Sequence, residues 1–93
     1  MTSIFQPIAS TSLGVGTSSV RTALPAQTGM VRVIADGQKV YLRFGDSTVT
    51  ATTSDMMIPA GQPEGFRTMA ATHVAAICQS GTAALSITSG EGQ

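Results

Sequence analysis

Two runs of period-two residues, separated by Asp36-Gly37, constrain this chain more than anything else in it. Val31, Val33 and Ala35 alternate with Met30, Arg32 and Ile34. Val40, Leu42 and Phe44 alternate with Lys39, Tyr41 and Arg43. A repeat of two places successive side chains on opposite faces of a strand. Asp-Gly between two such runs predicts a hairpin with a two-residue loop. Ala35 then faces Gln38, Val33 faces Val40, and Val31 faces Leu42, all on one face, as a buried face requires. On the other face Arg32 stands opposite Tyr41, in position for a cation–π contact.

A second segment has the same form. Val74, Ala76 and Cys78 share one strand face, and Ala83, Leu85 and Ile87 share another. With Ser80-Gly81 as the loop, Cys78 faces Ala83, Ala76 faces Leu85, and Val74 faces Ile87, while His73 falls opposite Thr88. A helix over residues 69–79 competes, because Ala is the best helix former. The hairpin register outweighs it.

Further short strands are expected at residues 19–24, 48–51, 56–58 and 66–69, with turns at Pro25 to Gly29, Gly45-Asp46 and Pro59-Ala60-Gly61. The sum is an all-β fold, a small β-sandwich or jelly-roll-like barrel of seven to eight short antiparallel strands. Residues 1–19 are expected as an extended N-terminal arm, either a partly mobile terminus or a segment whose Phe5 and Ile8 dock on a neighbouring subunit. Residues 20–88 form the sandwich domain and residues 89–93 a flexible C-terminal tail.

Charge narrows the function classes. Among 93 residues there are five basic and five acidic side chains, for a net charge of zero. Nucleic acid asks for clustered Lys and Arg, and anionic lipid asks for a basic patch; neither partner is expected. No apolar run approaches the ~20 residues of a membrane span. The N-terminus lacks the basic and apolar regions of a signal peptide, so synthesis in the cytoplasm is expected. A near-neutral surface resists self-association poorly, which suits a protein that sits against a partner.

Catalytic patterns are missing. The single cysteine, Cys78, excludes an intrachain disulfide. His73 and Cys78 are five residues apart on a strand and point to opposite faces. Cys78 belongs with Val74 and Ala76, as a buried, inert thiol. His73, the single histidine, has too few fellow ligands for zinc. The acids are scattered, and Asp36 and Asp46 fall in turns, where their side chains bond the backbone. Gly14-Val15-Gly16 lacks the remainder of a phosphate loop. No G-x-S-x-G elbow is present. No catalytic residue, metal site or cofactor is expected, and the chain is read as a non-enzyme. Few aromatic residues are available to stack a ligand. Tyr41, flanked by Arg32 and Arg43, is the one aromatic candidate for a contact surface.

Several segments resemble a pattern in small tailed-phage virion proteins. They are Val31-Arg32-Val33-Ile34-Ala35, Val40-Tyr41-Leu42-Arg43-Phe44-Gly45, Thr48-Val49-Thr50-Ala51, Ile58-Pro59-Ala60-Gly61, His73-Val74-Ala75-Ala76-Ile77, and residues 84–92. The chain is similar, from about Met30 to its end, to capsid decoration or cement proteins and other head accessory proteins. That resemblance implies a structural subunit on the capsid surface, made in the host cytoplasm. Its implied partners are the major capsid protein and further copies of itself, as a trimer at threefold capsid joints. A head-fibre, neck or adhesin-type binding module is the alternative. The expected interface residues are Ile4, Phe5, Ile8, Arg32, Tyr41 and Arg43.

Overall fold

The computed structural model describes residues 6–91 and contains eight strands and no helix among them. The strands are β1 (Gln6–Val15), β2 (Val20–Ala23), β3 (Met30–Asp36), β4 (Val40–Gly45), β5 (Met56–Ile58), β6 (Glu64–Arg67), β7 (His73–Ile77) and β8 (Ala83–Glu91). They form two four-stranded antiparallel sheets, ordered β1-β8-β3-β6 and β2-β7-β4-β5. The sheets pack face to face, so the chain is the small β-sandwich that its alternation predicts.

One rule generates the pairing. β1 pairs with β8, β2 with β7, β3 with β6 and β4 with β5, as in one long ribbon doubled back on itself. β8 also pairs with β3, and β7 with β4, which rolls the ribbon into two sheets. This is the connectivity of an eight-stranded jelly roll. Only β4 and β5 are neighbours both in sequence and in a sheet; every other connection crosses from one sheet to the other.

Both expected hairpins are therefore corrected. β3 and β4 lie in opposite sheets, and so do β7 and β8. Their inward residues are still the expected ones: Val31, Val33, Ala35, Val40 and Leu42 are buried, as are Val74, Ala76, Cys78, Ala83, Leu85 and Ile87. Parity explains both outcomes. Two strands leaving a tight turn bury the same alternate residues whether they lie side by side or face each other across a core. Distance decides between them. Residues 37–39 join β3 to β4, and three extended residues span about 10 Å, the usual spacing of packed sheets. Gly37 adopts φ +106° in this crossing, and a Cβ there would approach the Thr82 carbonyl oxygen at 3.4 Å.

The ends of the chain also differ from expectation. From Gln6 onward the expected arm is β1, a ten-residue strand laid along β8. Its inward positions, Ala9, Thr11, Leu13 and Val15, carry only modest apolar bulk, so its period of two is faint in the sequence. The expected tail begins at Ser89, yet β8 continues to Glu91. β8 is a central strand with partners on both sides, so Ser89 and Gly90 have ladder partners however polar they are. The buried Ser89 hydroxyl accepts a hydrogen bond from Ala26 N–H at 3.2 Å. Residues 48–51, expected as a strand, lie in the connection between β4 and β5.

The core is made by both inner faces. Val15, Val31, Val33, Ala35, Ala83, Leu85 and Ile87 meet Val40, Leu42, Ile58, Val74, Ala76 and Cys78. Phe44 and Phe66 close the cluster with ring centroids 5.4 Å apart and planes tilted by 53°. Leu85 is fully buried on a central strand. Leu85→Ala is expected to cost about 2–5 kcal/mol in urea unfolding, whereas Ala84→Ser, one residue away on the exposed face, should stay within about 0.5 kcal/mol.

Candidate functional site

The expected interface residues do not form one surface. Ile4 and Phe5 lie outside the described residues. Ile8 sits where the β1–β8 register shifts, between Pro7 and Ala9, and is 53% exposed. Arg32 is exposed on the outer face of the first sheet. Tyr41 and Arg43 lie two residues apart on β4, on the outer face of the second. Arg32 and Tyr41 are thus on opposite sides of the sandwich, and the expected cation–π pair does not form. The cause is the sheet crossing at residues 37–39. Tyr41 is in register with Met57 of β5 and Ile77 of β7. Its hydroxyl donates to Gln79 Oε1 at 3.4 Å.

A different feature dominates that outer face. Residues 46–55, the connection from β4 to β5, fold back as a strap over the second sheet. Val49 and Ala51 pack on Ala75, with Ile77 alongside, in a small core separate from the main one. This explains why Val74, Ala75 and Ala76 are buried in succession on β7, where a one-sided strand would alternate. Arg21 Nη1 donates to the Val49 carbonyl oxygen at 3.0 Å, and Ala51 N–H donates to Ser19 Oγ at 2.9 Å. Both contacts tie the strap to the sheet from the β2 side.

The strap holds its own shape through two turns. Asp46 Oδ1 accepts the Thr48 hydroxyl at 2.6 Å and the Thr48 N–H at 2.8 Å. Those bonds, the hydroxyl first, hold the exposed Asp46 carboxyl below its ordinary pKa. Asp55 Oδ2 accepts Thr52 N–H at 2.7 Å. Asp bonding to nearby backbone is the turn chemistry such residues favour, and Asp46-x-Thr48 with Thr52-x-x-Asp55 was the local signal that this segment is a looped strap. Gly45 is needed where the strap leaves β4, because a Cβ there would stand 2.8 Å from Val49 Cγ2. Beside it, Arg43, Phe44, Gly45, Asp46, Thr48, Val49 and Thr50 line an open depression of about 330 Å³.

The nucleophilic candidates stay apart. Cys78 is buried, with Sγ 3.8 Å from the Val15 carbonyl oxygen, and burial pushes its thiol above the ordinary pKa. His73 is half-buried at the start of β7, sharing a 2.8 Å hydrogen bond between Nδ1 and Thr72 Oγ1. It is in register with Ala23 and Gly45, not with Thr88. Thr88 instead meets Ser10, with hydroxyl oxygens 2.9 Å apart. Among the described residues no three of His, Cys, Asp and Glu gather closely enough to hold a metal ion, and no helix is long and apolar enough to cross a membrane.

No family model, curated protein or solved structure matches this chain.

Two outcomes are expected. Gly45→Ala should displace Val49 and lift the strap, seen as faster amide exchange at Val49 and Ala51 with the core amides unchanged. A thiol reagent should leave Cys78 unlabelled in native protein and label it as the chain unfolds in denaturant; rapid native labelling would mean an accessible nucleophile.

Proposed function

We propose that the chain is a non-catalytic structural protein of a phage particle, binding and stabilising the capsid lattice as a decoration or cement subunit. The single observation that carries the reading is the strand order, β1-β8-β3-β6 facing β2-β7-β4-β5. The jelly roll is an architecture of viral capsid domains and of lectins. A fold alone does not assign a function, so the surface matters as much. Ser10, Ser12, Gly14, Ala84, Ser86 and Thr88 make a low, neutral outer face on β1 and β8. Such side chains cost less to desolvate than charged ones when a partner covers them. The segments that resemble small virion proteins fall on β3, β4, the strap, the turn after β5, β7 and β8, which together form most of the sandwich.

The second reading is a head-fibre or adhesin-type module. Tyr41, on the same outer strand face as Arg43, which lines the open depression, is the observation that favours it. An aromatic ring with adjacent polar groups can stack and orient a sugar. Quantitative mass spectrometry of purified particles made from the encoding genome separates the two. A copy number comparable to the major capsid protein is the expected result. A copy number near that of the portal would favour the fibre or neck reading, and absence from particles would overturn both.

A further inference from the structure

The two sheets have four edge strands, β1, β6, β2 and β5. Unpaired N–H and C=O groups along an edge are a template for another strand, and proteins blunt them with charge, brevity or proline. Three of the four edges are blunted. β5 has three residues, β2 has four with Arg21 among them, and β6 has four with Glu64 and Arg67. β1 is different. It runs for ten residues without a charged side chain, and its one proline, Pro7, lies before the register shift. Ala9 to Val15 then pairs regularly with β8 on one side only. Thr11 and Leu13 point inward there, yet remain only half-buried, because among the described residues nothing continues the sheet beyond them.

We infer that this edge pairs antiparallel with β1 of a second copy, centred on Ser12, to join two four-stranded sheets into one of eight. The stretch from Ala9 to Val15 is symmetric about Ser12. Ser12 then meets its own counterpart, Ser10 meets Gly14, Thr11 meets Leu13, and Ala9 meets Val15. Every pair keeps inward residues opposite inward and outward opposite outward, which the pleat demands. No like charges meet, which a strand carrying even one Lys or Glu at its centre could not achieve against itself. The second copy supplies Thr11 and Leu13 with the neighbours that the sheet edge denies them. The contact is isologous and closes on itself. It is twofold, so the threefold symmetry of capsid joints would have to come from other surfaces.

Sedimentation of the full chain at about 100 μM tests the pairing. Wild type is expected at the mass of two chains, and Ser12→Lys at half that mass, since it sets two ammonium groups face to face on an exposed position. A wild-type monomer, a trimer, or a Ser12→Lys dimer would each overturn the inference. Amide exchange provides a reading that needs no variant: β1 amides should slow as concentration rises, and concentration-independent exchange would overturn the pairing. Particle copy number is measured separately. A monomer abundant in virions would remove the dimer and leave the capsid reading, and a dimer absent from virions would do the reverse.

Discussion

Each long strand must bury one apolar face against the opposite sheet, and the rest of the structure follows from that requirement. Val33, Val40, Val74, Leu85 and Ile87 are all fully buried, and they come from strands of both sheets. A domain this small has little apolar surface to spend. Strands alternating between the two sheets let successive runs of the chain contribute to the same core at once. Crossing connections such as residues 37–39 are the consequence, and they place turn residues at the ends of the sandwich rather than along one sheet edge.

That same requirement sets what the sequence makes legible. The alternation Val31-x-Val33-x-Ala35 and Val40-x-Leu42 identifies the strands and their buried faces correctly, because burial depends only on parity. Strand partnership is another matter. Asp36-Gly37 has the composition of a hairpin turn, yet the chain uses it to leave one sheet and enter the other. Local residues describe the turn, while the partner of β3 is decided by β6 and β8, more than twenty residues downstream in sequence. The expected Arg32–Tyr41 contact failed for this reason alone, and with it the surface built on those two residues. β1 was hidden for a related cause: Ala9, Thr11 and Leu13 give a weak apolar rhythm, and the central strand β8 supplies the order that the rhythm does not announce.

The strap shows how one connection changes a sheet face. Without Val49 and Ala51, the outward Ala75 of β7 would be solvated, and the second sheet would be one-sided. With them, the outer face near β2 and β7 becomes a second small core, held by the Arg21 and Ser19 bonds. The strap is therefore structural rather than free to adapt. Gly45 permits it, since the close approach of Val49 leaves no room for a Cβ. The exposed large apolar side chains of that sheet are then confined to its far edge, where Met56 and Met57 are each nearly half exposed.

The two sheets thus end up with unlike surfaces. The second is crossed by the strap and carries Tyr41, Arg43 and the depression beside Asp46. The first is low and neutral across β1 and β8, and its β1 edge carries no charge. A protein that works alone gains nothing from a ten-residue uncharged edge, which exposes it to unwanted pairing. Three of its four edges are short, two of them also charged, so the means of blunting an edge are present in this chain and are withheld from β1. Withholding them there is consistent with an edge that is covered in use, and the sparse charge of the whole chain extends the same logic to its faces. The proposed pairing of β1 with a second copy accounts for this distribution of strands, charges and edges.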